Sequence, residues 1–313
     1  MLQPFKLTPT YKDYVWGGKR LRPEADITAE AWVVYAEDQV VNGPYAGKTL
    51  AEVAEREGEA LLGEKAVALT GLRFPLLIKL LDCARWLSLQ VHPNDEQAQR
   101  LEGPGFFGKT EAWHVVEAEQ GAQLLSGFRP GVTREDIRNA VGKKAILNLV
   151  ETRNVHSGDT IFIAPGTIHA LGSGLLIYEV QQTSDLTYRV YDWDRPATGP
   201  RKLHIDQSIA VLDPQAGGNV LPADPTLAAS GRKELVSCKY FTLELVAGSL
   251  ETISVDLQGQ SFSALTALNG SVTVHAGDWS ADLGALETLL IPAACGKFEI
   301  ALPGEARALL AHT

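Results

Sequence analysis

Gln90 and His92 stand two residues apart in the run Leu87-Ser88-Leu89-Gln90-Val91-His92-Pro93-Asn94-Asp95. In a β-strand, residues i and i+2 project to the same side, so this spacing brings an amide oxygen and an imidazole nitrogen to one point. Leu89 and Val91 then face the opposite layer, and Pro93, which has no N–H to donate, ends the pairing. Such a strand presents half of a metal coordination shell. Taken alone, Gln-x-His is equally an ordinary polar strand end, so the other half has to come from elsewhere in the chain.

A second segment, Gly108-Lys109-Thr110-Glu111-Ala112-Trp113-His114, places Lys109, Glu111 and Trp113 on one strand face and Thr110, Ala112 and His114 on the other. Lys109 and Glu111 are thus set as a pair, either a surface ion pair or part of a site. His114 faces away and reads as a structural histidine. A third segment runs from Gly158-Asp159 through Thr160-Ile161-Phe162-Ile163 and the turn Pro165-Gly166 to His169. This order resembles the second conserved motif of cupins, in which that histidine is a metal ligand. A divalent ion held by His92, Glu111 and His169, with Gln90 as fourth ligand, would meet borderline nitrogen and oxygen donors. Such a set suits Zn(II), and two His with one carboxylate also suit Fe(II). Glu179, in Leu175-Leu176-Ile177-Tyr178-Glu179-Val180-Gln181-Gln182, is a candidate general base, or else a structural carboxylate with an Arg partner such as Arg189.

These residues need β-layers to hold them, and the pattern supplies them. Apolar and alternating runs at 31–35, 75–82, 108–116, 155–163 and 174–182 predict strands, and 184–195 a further strand and turn. Capping boxes at Thr49/Glu52, Asn94/Gln97 and Thr133/Asp136 predict short helices. The helical spacing after Thr133 predicts an insertion over about 130–152. Residues 236–313 alternate again between turn signals, as in Asn269-Gly270, and read as a second small β-sandwich without a histidine after its Ile291-Pro292 turn. The expectation is a mainly β protein of two cupin-like β-sandwich or jelly-roll domains: a metal-binding domain over 1–225 with the helical insertion, and a C-terminal domain over 226–313 lacking a metal site.

Composition bounds the function. The chain has 313 residues, more than one hydrophobic core usually serves. Its 28 basic and 38 acidic side chains give a net charge of −10, with no basic stripe, which argues against nucleic acid as a partner. The three cysteines are far apart and odd in number, as expected for a reducing compartment. There is no signal-like N-terminus, and no apolar run nears the roughly 18 residues of a membrane span. A cytoplasmic protein, free of membrane and acting as a monomer or homodimer, is expected.

The cupin pattern departs in one place: His-x-His with a nearby Glu is usual, whereas here Gln-x-His precedes Glu111 by an inserted loop. That departure, with Gln90-Val91-His92-Pro93, Lys109-Thr110-Glu111, Pro165-Gly166-Thr167-Ile168-His169-Ala170 and Glu179-Val180-Gln181-Gln182-Thr183-Ser184-Asp185-Leu186-Thr187-Tyr188-Arg189, resembles the type I mannose-6-phosphate isomerases of the short bacterial form. Tyr14-Val15-Trp16-Gly17-Gly18 and the strand from Leu76 to Leu81 are similar too. The resemblance implies a cupin fold and one Zn(II) on Gln90, His92, Glu111 and His169. It also implies a catalytic Arg189, and a pocket lined by Lys109, Glu179 and Ser88. The implied reaction interconverts mannose 6-phosphate and fructose 6-phosphate through an enediol(ate), with Glu179 or Lys109 moving the proton. Arg85, Ser88 and Lys109 are the candidates for holding phosphate. Longer members have a histidine where this chain has Gly108 and an aromatic where it has Leu171, which leaves the ring-opening group open. Two further readings stay open: a non-catalytic sugar-phosphate-binding or regulatory cupin, and an Fe(II) cupin oxygenase.

Overall fold

The computed structural model describes residues 2–196, 201–223 and 231–313, and they are mainly antiparallel β. The chain falls into two compact units, each assembled from separated stretches. One comprises Met1–Tyr11, Ala31–Leu80 and Asp224–Thr313, and the other Lys12–Glu30 and Leu81–Ala223. The boundary expected at 225/226 lies outside the described residues. By packing, residues 1–11 and 31–80, which the sequence-based division puts with the metal-binding part, group with the C-terminal strands.

The Lys12–Glu30/Leu81–Ala223 unit is built on two antiparallel sheets. In the first, the strand order is Tyr188–Tyr191, Leu89–Val91, His169–Leu171, Gln123–Phe128, Val150–Asn154. In the second, Asn219–Leu221, Thr160–Ile163, Glu111–Ala118 and Leu175–Gln182 lie side by side in that order. The period of two sorts the side chains of the first sheet. Leu89, Val91, Ile168, Ala170 and Val190 pack outward beneath the helical pieces that carry Ile137, Ile146 and Val211. Those pieces include the Arg134–Ala140 helix, capped by Thr133 and Asp136, and the 3-10 turn Lys144–Asn148, inserted between two neighbouring strands. A second cluster contains Trp16, Leu87, Trp113, Leu124, Ile161, Ile163 and Leu171, drawn from both sheets and from the N-terminal segment.

That segment is fastened by Asp82, whose buried carboxylate accepts the backbone N–H and the Nε–H of Arg20, each at 2.7 Å. Gly18 makes room: a Cβ there would stand 2.3 Å from Asp82 Oδ2.

In the other unit a six-stranded and a four-stranded sheet enclose Val246, Val255, Leu265, Val274, Phe298, Ile300 and Leu310. The six-stranded sheet ends on Phe5–Lys6, paired with Thr288–Ile291. No helix among the described residues is long and apolar enough to cross a membrane.

Candidate metal centre

Register across the first sheet draws one line of side chains. Arg189 pairs with Gln90, Gln90 with His169, and His169 with Ser126. On the second sheet Gln181 pairs with Glu111 and Glu179 with Trp113, so these four form a block on one face. The side chains of the two sheets meet at His92, Glu111 and His169. Their ligand atoms lie within 4.8 Å of one another and all three residues are buried. Gln90 Nε2 is 3.2 Å from His169 Nε2.

The imidazoles are oriented by backbone. His92 Nδ1 lies 2.8 Å from the carbonyl oxygen of Leu186, and His169 Nδ1 lies 2.9 Å from that of Thr167. A carbonyl only accepts, so each Nδ1 carries the proton and each Nε2 keeps its lone pair. Both Nε2 atoms point at one carboxylate, at 3.5 Å from Glu111 Oε2 and 3.4 Å from Glu111 Oε1. Lone pairs set against a buried anion repel it unless a cation stands among them, a part the Lys109 ammonium takes beside Glu111 and His92 and one a metal ion could take as well. This donor set therefore fits a metal ion, with both rings already in the tautomer a metal requires. Burial, which outweighs the Thr167 hydrogen bond, lowers the pKa of His169 to about 3, so its ring is neutral at physiological pH.

Lys109 lies at the edge of this group, with its ammonium hydrogen-bonded to Glu111 and 3.1 Å from His92 Nε2. Glu179, 4% exposed, accepts the indole N–H of Trp113 at 2.8 Å. Ser88 Oγ approaches Gln90 Oε1 at 3.4 Å. Arg189 is half-buried, and its pKa is lowered first by burial and then by Arg201. Of these four sequence-derived candidates, Lys109 touches the ligands directly, while Ser88 and Arg189 adjoin Gln90 and Glu179 adjoins Trp113. Arg85 does neither: it lies exposed at the surface, its backbone N–H on Trp16 O. Among the described residues no hydrogen bond or ion pair joins its side chain to the group. The reason is local, since Arg85 precedes the strand whose alternation orders Gln90 and His92.

His114 points to the other side of its strand, with Nδ1 3.0 Å from Thr160 Oγ1, in keeping with a structural role. Gly108 sits where only glycine fits, because a Cβ would be 2.5 Å from the carbonyl carbon of Asn94 and 2.6 Å from Asp95 N. Leu171 is buried in the apolar cluster. Sequence reasoning missed the Leu186 and Thr167 carbonyls, for which no side-chain signal exists, and the Trp113 link to Glu179. It also passed over Gln181, fully buried, whose Oε1 has no hydrogen-bond partner among the described residues.

A metal-competent cluster of two histidines and a glutamate, set between the sheets of a cupin-type sandwich, defines the class of protein. The particular family follows from comparison. A family model described as the phosphomannose isomerase type I catalytic domain matches residues 4–105. The chain is 38% identical over 255 residues to a mannose-6-phosphate isomerase of Streptococcus mutans, covering 78% of each chain. It is 32% identical to mannose-6-phosphate isomerase ManA of Bacillus subtilis over 99% of each. The crystal structure of a mannose 6-phosphate isomerase from Bacillus subtilis superposes with a TM-score of 0.86 at 30% identity, over 100% of both chains. The chain belongs to the type I phosphomannose isomerase family.

Proposed function

We propose that the protein interconverts mannose 6-phosphate and fructose 6-phosphate with one Zn(II) held by Gln90, His92, Glu111 and His169. The observation that carries this reading is the pair of Nε2 lone pairs directed at the Glu111 carboxylate, in a chain of this family. Zinc accepts such nitrogen and oxygen donors, and when bound it supplies Lewis acidity toward the sugar oxygens at C1 and C2.

The chain's own groups account for the rest. Moving a proton between C2 and C1 needs a base that takes it from one carbon and returns it to the other. Glu179 and Lys109 are the two buried groups of the right kind beside the ligands. Arg189, in line with Gln90 and His169, offers a fixed cation to the negative charge that develops on the enediolate oxygen. Ser88 and Lys109 can meet phosphate oxygens. Arg85 reaches the phosphate only if the bound sugar extends to the surface. The site buries its ligands deeply, which keeps the reactive intermediate from water. A cytoplasmic setting is part of this reading, supported by three free cysteines.

The test is removal and return of metal. Protein stripped with a chelator is expected to lose isomerisation and to recover it with zinc. Recovery of oxygen uptake with Fe(II), or substrate-induced stabilisation without turnover, would overturn the proposal in favour of an oxygenase or a binding protein.

A further inference from the structure

We propose that Trp113 is a positioning residue for Glu179, aligning its carboxylate for proton transfer; this rests on the reading that Glu179 moves the substrate proton. The two are direct cross-strand partners in the ladder between Glu111–Ala118 and Leu175–Gln182. Both are buried, and the indole Nε1–H donates to Glu179 Oε2 at 2.8 Å. The same indole stands T-shaped to the ring of His169, with centroids 5.3 Å apart and planes at 70°. One rigid side chain therefore touches both the carboxylate and a metal-ligand imidazole.

The chemistry of indole suits this task. A glutamate has three rotatable bonds, and its terminal torsion is broad, so burial alone does not fix the carboxylate plane. A hydrogen bond to one oxygen fixes that plane and with it the lone-pair directions of the other oxygen. The indole N–H is a donor only, so it holds the carboxylate without competing for the proton. Trp113 has only two side-chain torsions and is itself fixed in the apolar cluster with Leu124, Ile161 and Ile163. Glu111, two residues before Trp113 on the same strand face, puts the metal ligand and this support on one rigid element.

The experiment is a double-mutant cycle with holoenzyme, reading kcat, KM and zinc content. Trp113→Phe keeps an aromatic ring and removes the donor, and Glu179→Gln keeps an acceptor for the indole while removing the base. Loss of a hydrogen bond to a charged group at the reacting geometry is expected to lower kcat on the order of tenfold or more. KM and zinc content are expected to stay at wild-type values, a split that general loosening of the core does not give. The double variant is expected to be no slower than Glu179→Gln alone. Losses that multiply in the double variant overturn the proposal, as does a Trp113→Phe loss accounted for by missing zinc. A Glu179→Gln enzyme with full kcat overturns the reading of Glu179 itself, and the proposal with it. If Trp113→Phe does not fold, 3-benzothienylalanine introduced at position 113 preserves the bicyclic shape and removes only the N–H, and the same criteria apply.

Discussion

The rings of His92 and His169 stand 4.8 Å apart, centroid to centroid, each with Nδ1 on a main-chain carbonyl and Nε2 directed at Glu111. The protein thus fixes the tautomer of both imidazoles with groups that substitution of a side chain does not remove. His92→Ala and His169→Ala are each expected to abolish zinc retention. Because changes to groups that merely support a ligand cost about 10–100-fold in affinity or activity, loss of a ligand should exceed about 100-fold. Metal analysis beside the isomerase assay checks this, and metal-dependent turnover surviving His169→Ala would refute the assigned centre.

Lys109 offers a second measurement. Its ammonium is the partner of the fully buried Glu111. Removing one member of a buried pair leaves the other charge uncompensated, at a cost of about 3–5 kcal/mol. Lys109→Met is therefore expected to destabilise the metal-free protein strongly, while added zinc, bound at the same carboxylate, restores most of the loss. Thermal unfolding with and without zinc reads this directly. An equal Tm deficit in both conditions would show that Glu111 is not the shared partner.

Gly108 makes a third case. Its missing Cβ accommodates the backbone of Asn94 and Asp95, at the capped start of the Asp95–Glu102 helix. Gly108→Ala is expected to cost about 1–3 kcal/mol through overpacking, and Gly108→His more. Gly108→His should lower stability and activity together, as denaturant unfolding and kcat would reveal.

The fourth prediction concerns acid. Glu244 is largely buried, which opposes its ionisation, yet His312 and Arg232 outweigh burial and hold its pKa below the usual value of 4.5. A carboxyl depressed in the folded state contributes stability above its unfolded pKa and loses it as pH falls through the folded value. Unfolding free energy should therefore decline below about pH 4.5 in the wild type. Glu244→Gln is expected to be less stable at pH 7 and to lose less on acidification. Parallel pH profiles for the two proteins would count against the ion group as the cause.

Much of this was legible in the residues, and the reason is range. The capping boxes at Thr49, Asn94 and Thr133 each close over three residues, and all three form. The Gln90-x-His92 pairing needs only the two-residue period of a strand. The Glu179–Trp113 bond depends on register between residues 66 apart, which alternation along either strand does not specify. In the sequence Glu179 reads as a general base or as a structural carboxylate with an Arg partner such as Arg189, with no part named for the Trp113 N–H that it accepts. Main-chain acceptors such as Leu186 O carry no sequence signature at all. Arg85 carries the basic charge a phosphate calls for, and it stands exposed just before the Leu89–Val91 strand, where alternation no longer orients it.

The interleaving of the two units also orders events at the ribosome. When synthesis passes residue 223, the Lys12–Glu30/Leu81–Ala223 unit has every strand it needs, including all four proposed ligands. The other unit is still waiting, because Phe5–Lys6 pairs with Thr288–Ile291 and the Thr242–Gly248 strand with Ala306–His312, the last to be made. Until then the Phe5–Lys6 strand is held only on one side, by Val41 and Asn42, and every proposed metal ligand has been made before its Thr288–Ile291 partner arrives.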